Sequence, residues 1–372
     1  MKRLLSGIVA FIMLALLSLS AHAEGVGTSA RAFVLYCANN GEVLSAENPD
    51  EKLPMASTTK LMTTLLTLEA ADKDNKVVEF TEKMTAEGSS MYLKVGEKVT
   101  LYDLAVGMMM QSGNDAANAA AIALAGSVED FAAMMNEKAA EIGMKNTHFV
   151  TPSGLDDDAH YSTARDMAML MSYALGNGSF REMTAQTSMT VDFVEPEDKR
   201  VTYPNHNRLL SLYDSCIGGK TGYTMTAGRC LVTAAERDGL TLVAVTLDDR
   251  DDWDDHMALF DYGFEHYAVY APDNSRDIRV DVVGGVGDEA AVYTALTTDM
   301  VVPRDRLGDV EARIFLSPFL YAPVGRGDIV GEISYTLDGK SIGKSRLLSA
   351  DNIAYNSRRR GFFEYLKDVL GF

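Results

Sequence analysis

Cysteine and histidine are scarce in this 372-residue chain, with three of the first and six of the second. Neither is arranged for metal. There is no His-Glu-x-x-His pair and no Cys-x-x-Cys pair, so no dedicated zinc site is expected. Basic charge is short as well. Lys and Arg total 34 against 53 Asp and Glu, a formal net charge of -19. That balance argues against nucleic acid as a partner, because phosphate binding needs a basic footprint. Beyond the N-terminus no run is long and apolar enough to span a bilayer. What is present is ordinary globular composition, 47% hydrophobic and 23% charged, over a length that suits two domains.

The N-terminus reads as an export signal. Lys2 and Arg3 form a short positive region, residues 4–19 are largely apolar, and Ala21-His22-Ala23 fits the small-x-small rule for signal peptidase. The signal would occupy residues 1–23 and the mature chain would start near Glu24. An uncleaved anchor is the alternative, and the absence of a nearby cysteine disfavours a lipoprotein. Either way the protein is expected to work outside the cytoplasm. Export permits a disulfide. Cys216 and Cys230 lie symmetrically about Tyr223, as two strands of a hairpin would place them, with Cys37 left over. The other reading is three small buried hydrophobes.

Periodicity outlines the rest. Residues 31–45 alternate around Asn39-Asn40-Gly41, which predicts a β-hairpin. A helix is expected from near Ala56, through Leu61, Met62, Leu65, Leu66 and Leu68. Two short helices are expected within 101–125, broken at Gln111-Ser112-Gly113. Ser127 and Asp130 would cap another that ends near Gly143, and residues 162–175 read as helical. Strands follow at 190–194, 214–220, 229–236 and 240–247, then a helix over 254–264. Hairpins flanking a helical middle make an α+β pattern for residues 24–271. A small β-rich domain is expected over 272–350, with Asp338-Gly339 as a hairpin turn. In the last segment, 351–372, Arg358-Arg359-Arg360 precede Phe362, Phe363, Leu366, Val369 and Leu370, which share one helical face. Such a helix suits the membrane surface; packing back on the protein is the alternative.

Three short motifs carry chemistry. In Ser57-Thr58-Thr59-Lys60, positions three apart share a helical face, so the lysine amine can reach the serine hydroxyl. A serine needs a base to become nucleophilic, and a lysine serves once desolvation and nearby cations lower its pKa. Ser112-Gly113-Asn114 sits in a break between helices, where a second hydroxyl could relay a proton and an amide could orient substrate and lysine. Lys220-Thr221-Gly222 lies late on an expected strand. Its lysine and hydroxyl could hold a carboxylate, and its glycine lets a ligand backbone come close. The N–H of Tyr223 could pair with that of Ser57 as an oxyanion hole. Residues 248–255 contain six aspartates, which read as a solvated loop at a helix N-terminus rather than a calcium site.

Each motif alone is weak; together, in this order, they are specific. The set resembles that of penicillin-binding proteins and class A β-lactamases. The chain resembles, over nearly its whole mature length, a low-molecular-mass penicillin-binding protein of the D-alanyl-D-alanine carboxypeptidase family. Further matching segments are Ser153-Gly154-Leu155, His160-Tyr161-Ser162-Thr163-Ala164-Arg165-Asp166 and Asp261-Tyr262-Gly263-Phe264. The resemblance implies the β-lactamase/DD-peptidase-like fold, a helical cluster with an antiparallel sheet. It implies Ser57 as nucleophile, Lys60 as base, Ser112 as proton relay and Asn114 as a positioning group. Lys220, Thr221 and Gly222 would bind substrate, with Tyr223 in the oxyanion hole. The substrate implied is a peptidoglycan stem peptide, penicillins would acylate Ser57, and no cofactor or metal is implied. No Glu-x-x-Leu-Asn segment stands between the second and third motifs, which argues against fast β-lactam hydrolysis. A serine β-lactamase and a non-catalytic wall-binding regulator are the alternatives. His160 is left out of the site, because a loop histidine is more often structural.

Overall fold

A computed structural model describes residues 26–272, 277–296, 299–356 and 370–371. The export signal expected over 1–23 lies outside the described residues. So does the amphipathic segment expected over 358–372, apart from 370–371.

Five antiparallel strands form the central sheet. They are β1 (Ala32–Cys37), β2 (Val43–Glu47), β3 (Cys216–Thr224), β4 (Gly228–Arg237) and β5 (Leu240–Asp249). Their order is β2-β1-β5-β4-β3. Strands β4 and β5 read as almost continuous apolar runs because helices cover both sheet faces. Strand β3 is therefore the edge strand, with one row of backbone groups left without a partner strand. The β3–β4 register pairs Thr224 with Gly228, so the hairpin turns about Thr226 rather than Tyr223. That register places Cys216 opposite Ala235 and Cys230 opposite Gly222. The symmetry read from the sequence was centred on the wrong residue, and all three cysteines are free thiols.

The helical half is built around α1 (Lys60–Ala71), entered through a 3-10 turn at Ala56–Thr59. Leu61, Met62, Leu65 and Leu68 are buried, but so are Thr63, Thr64 and Thr67 on the other faces. A helix enclosed on every side is a core helix. Thr63 Oγ1 donates to the Pro152 carbonyl at 2.6 Å, and Thr67 Oγ1 to the Thr63 carbonyl at 2.6 Å, which offsets their burial. Around it stand α2 (Leu101–Gln111), α3 (Asn114–Ala125), α4 (Val128–Ile142) and α5 (Ala164–Ala174). Side chains of Thr100, Ser127 and Thr163 cap α2, α4 and α5 by accepting from the N–H three residues on. Met108, Met109 and Met110 are core. The strand expected at 190–194 is present as Ser188–Asp192, while its partner Arg200–Pro204 and the short helices Gly178–Thr184 and Leu209–Leu212 exceed what periodicity predicted. Pieces so short show too few repeats for a period to register.

Helix α6 (Asp252–His266) covers the opposite face of the sheet. The strand Tyr267–Val269 then pairs with Val301–Pro303. The second domain is a six-stranded sheet built from β6 (Ile278–Val283), β7 (Glu289–Leu296), β8 (Glu311–Leu316), β9 (Phe319–Tyr321), β10 (Ile329–Leu337) and β11 (Lys340–Ser349). Its order is β8-β10-β11-β7-β6-β9, and Asp338-Gly339 turns β10 into β11 as expected.

One contact between α6 and the sheet is sensitive to acid. His256 is wholly buried between Thr233 Oγ1, 2.6 Å from Nδ1, and Thr246 Oγ1, 3.1 Å from Nε2. Burial pushes its imidazole down to about 3. Below the ordinary value of 6.5 the unfolded chain takes a proton that the folded chain refuses. Stability from this group is therefore complete above pH 6.5 and falls as pH drops toward 3. The slope is up to roughly 1.4 kcal/mol per pH unit. Urea unfolding between pH 7 and 4.5 is expected to show this loss, with a shallower slope in His256→Gln; equal slopes would contradict the assignment.

Candidate active site

The 3-10 turn that carries Ser57 is held from two sides. Ala56 adopts φ +48°, a conformation costly for a residue with a side chain. Across from it Gly154 has φ +82°, and a Cβ there would lie 1.9 Å from the Ala56 carbonyl oxygen. Only glycine lets the 150–161 loop press against the turn that carries Ser57. His160 pins that loop. Its Nδ1 accepts the Val150 N–H at 2.9 Å, so Nε2 carries the hydrogen and donates to Thr59 Oγ1 at 2.9 Å. Burial pushes His160 down to about 4, which keeps it neutral near pH 7. These bonds tie the 150–161 loop to the residue two positions after Ser57.

Lys60 opens α1 and is fully buried. Its Nζ lies 3.0 Å from Ser57 Oγ, 2.7 Å from Asn114 Oδ1 and 2.6 Å from the Ser153 carbonyl oxygen. Desolvation, then the charge of Lys220, drives its pKa well below the usual lysine value. A neutral amine has two hydrogens and one lone pair. Asn114 Oδ1 and the Ser153 carbonyl can only accept, so they take the hydrogens and the lone pair faces Ser57 Oγ. Ser153 contributes a backbone oxygen, which has no side-chain signature that a sequence could reveal.

The second motif occupies the α2–α3 break. Ser112 ends α2 with φ +56°, and its buried Oγ has no hydrogen-bond partner in the protein. Asn114 opens α3 and is fixed by its neighbours: Nδ2 donates to the Glu87 carbonyl at 2.7 Å, and its N–H to the Ser89 carbonyl at 2.8 Å. Asp115 accepts from the N–H groups of Met91 and Leu93 and from Ser90 Oγ, tying the 89–93 loop to the same break.

The third motif lies on edge strand β3. Lys220 is buried, donates to the Thr221 carbonyl at 3.0 Å, and burial lowers it to about 7. A Cβ at Gly222 would stand 3.1 Å from the Ser57 nitrogen, so the strand runs directly against the turn that carries Ser57. Ser57, Ser112, Thr221, Gly222 and Tyr223 line one cavity of about 480 Å³, between the free edge of β3 and the helical half. Lys60, Asn114 and Lys220 lie buried beneath it.

Five more lining residues stand outside the expected site: Ser89, His206, Arg229, Asp252 and Trp253. Arg229, Asp252 and Trp253 meet there because the start of β4 and the start of α6 converge on one end of the cleft. Arg229 pairs with Asp252, whose burial and acceptance from that guanidinium oppose each other. The aspartate run is thus partly an ion-pair partner, and among the described residues no group of acids, histidines or cysteines could hold a metal ion.

Comparisons with known proteins agree with this architecture. Residues 19–251 match the sequence model for D-alanyl-D-alanine carboxypeptidase, peptidase family S11. Residues 264–355 match that for the penicillin-binding protein 5 C-terminal domain. The D-alanyl-D-alanine carboxypeptidase DacF of Bacillus subtilis is 32% identical, over 100% of this chain and 98% of its own length. DacC of Escherichia coli is 33% identical over 93% of this chain and 89% of its own. Penicillin-binding protein 5 of Haemophilus influenzae superposes with a TM-score of 0.69 at 28% identity, covering 88% of this chain and 98% of its own. The Streptomyces K15 DD-transpeptidase superposes with a TM-score of 0.62 at 30% identity, covering 65% of this chain and 99% of its own.

The cage around Lys60 makes a test of charge. In Asn114→Asp a carboxylate replaces the amide oxygen beside Nζ, which favours the ammonium and raises the lysine pKa. Acylation of Ser57 by benzylpenicillin at pH 7 is expected to fall by about 100-fold, with its rising limb moved to higher pH. A slower variant with an unmoved pH profile would contradict the cage.

Proposed function

The chain belongs to the D-alanyl-D-alanine carboxypeptidase family of serine peptidases, and we propose that it trims the terminal D-alanine from peptidoglycan stem pentapeptides through a Ser57 acyl-enzyme. The observation that carries this reading is the buried Lys60 amine 3.0 Å from Ser57 Oγ, at the floor of a cleft bounded by an unpaired strand edge. An extended peptide would lie along that edge as an added strand. Ser57 Oγ attacks the carbonyl between the two D-alanines while its proton passes to Lys60. The oxyanion faces the N–H groups of Ser57 and Tyr223. Ser112, whose hydroxyl is otherwise unsatisfied, hands the proton to the departing amine. Lys220, Thr221 and Arg229, the last already paired with Asp252, hold the terminal carboxylate by charge-assisted hydrogen bonds. Water then attacks the ester, with Lys60 again taking the proton, and frees the shortened peptide. A penicillin offers the same carbonyl and carboxylate and acylates the same serine.

Residues 1–23 direct export in this reading, and the basic, amphipathic 358–372 segment lies on the outer face of the cytoplasmic membrane. Among the described residues no helix is long and apolar enough to cross a membrane. The 272–350 domain holds the catalytic domain off that surface.

Release of free D-alanine from diacetyl-Lys-D-Ala-D-Ala is expected from the mature protein and not from Ser57→Ala, with a penicillin adduct of one equivalent mapping to the Ser57 peptide. Equal release by both proteins would sink the assignment of the nucleophile. For the tail, the mature chain is expected to sediment with anionic vesicles and a chain ended after Ser357 to stay in solution; sedimentation of both would contradict the membrane role.

A further inference from the structure

The β4–β5 register breaks beside Arg229. Arg229 faces Asp249, but Leu231 faces Thr246, so β5 carries one extra residue there. That bulge holds Asp248 at φ +52°, a strained conformation for a residue with a side chain, against Gly228 at φ +67°. A Cβ at Gly228 would collide with the Asp248 carboxylate, so the turn needs glycine. Bulges beside active sites re-aim side chains, and the residue at this one is Arg229. Cross-strand pairing locates it. Arg229 stands directly opposite Tyr223, so it shares a sheet face with Tyr223 and Thr221, and all three line the cavity with Ser57. Thr221 and Arg229 are diagonal neighbours, roughly 7–8 Å apart, a span that an arginine side chain and one carboxylate can close.

Two neighbours fix the guanidinium. Asp252, the first residue of α6, pairs with Nη2 through Oδ1. Its side chain is 5% exposed and that of Arg229 is 44% exposed, so the anchor lies inside and the guanidinium reaches outward. The Trp253 ring centroid lies 6.0 Å from the guanidinium carbon, at the outer limit of a cation–π contact. Asp249 and Asp251 act on the same group through charge alone. The fork keeps donors that Asp252 does not use. An arginine so placed is preorganised but is no longer a free cation.

We propose that Asp252 is a positioning residue that acts through Arg229: it fixes the guanidinium at the cleft wall and offsets its charge, so that the terminal carboxylate is held by hydrogen-bond geometry rather than by net attraction. This rests on the hydrolase reading above and deepens it at the same site. The two effects of Asp252 oppose each other. Fixing the fork removes conformational entropy that a free arginine would lose on binding substrate. Offsetting the charge weakens the pull on any anion. The released D-alanine carries the same carboxylate away, so a tempered grip also favours its exit.

Two substitutions separate the effects. In Asp252→Asn an amide oxygen still accepts from Nη2 while the opposing charge is gone; Asp252→Ala removes both. The test measures kcat/KM for D-alanine release from diacetyl-Lys-D-Ala-D-Ala by the mature protein, at low and at high salt, per active site counted by bound benzylpenicillin. Asp252→Asn is expected to exceed the parent by about fivefold at low salt and to lose that gain at high salt, where an exposed cation is screened. Asp252→Ala is expected to lie about tenfold below Asp252→Asn at both salt concentrations, since the two differ only in how the fork is held. With Arg229→Ala already in place, neither substitution is expected to change kcat/KM further, whereas a merely structural role for Asp252 would persist. Asp252→Asn no faster than the parent at low salt would overturn the proposal. So would equal effects of the two substitutions, or effects that survive the loss of Arg229. A parent protein that takes up penicillin but releases no D-alanine would overturn the hydrolase reading, and this proposal with it.

Discussion

A lysine amine sealed from water between two obligate acceptors has few stable states. With the Ser153 carbonyl at 2.6 Å and Asn114 Oδ1 at 2.7 Å, the neutral amine satisfies both with its hydrogens and turns its remaining lone pair on Ser57. Burial disfavours the ammonium, and Lys220 adds like-charge repulsion. The rest of the catalytic half can be understood as the means of keeping that amine dry and oriented. Helix α1 is enclosed on all sides so that its first residue is fixed. The 150–161 loop supplies a carbonyl at the right depth because Gly154 has no Cβ and His160 locks the loop to Thr59.

The open side of the site is set by topology. An antiparallel sheet that ends on β3 leaves one strand edge facing the helices, where a peptide can bond to the backbone and present its carbonyl to Ser57. Gly222 allows β3 to approach the Ser57 turn to within van der Waals distance. Arg229 lines one end of the cleft and Lys220 lies buried beneath it in a chain whose net charge is -19, with Arg229 paired to Asp252.

Much of this was legible in the sequence, for identifiable reasons. Ser57 and Lys60 share a face at helical spacing, and Ser112-Gly113-Asn114 falls where two apolar periods are broken. Lys220-Thr221-Gly222 lies late on an expected strand. Those signals are carried by side chains close together in the chain. The parts that were missed are of another kind. The Ser153 carbonyl is backbone. Arg229, Asp252 and Trp253 meet only after the β3–β4 hairpin and α6 have folded together. The Cys216–Cys230 symmetry misled because a hairpin's register depends on where its turn closes, and Thr224 pairs with Gly228 rather than flanking a turn at Tyr223.

The central claim is that Lys60 is an amine, not an ammonium, when Ser57 attacks. It is tested most directly by following the Lys60 side-chain carbon resonance through a pH titration of ¹³C-lysine-labelled protein, assigned by its absence in Lys60→Arg. The account predicts a titration far below the ordinary lysine value of 10.5, tracking the pH dependence of penicillin acylation. A Lys60 resonance that stays in its protonated position up to pH 10 while acylation proceeds at full rate would contradict it.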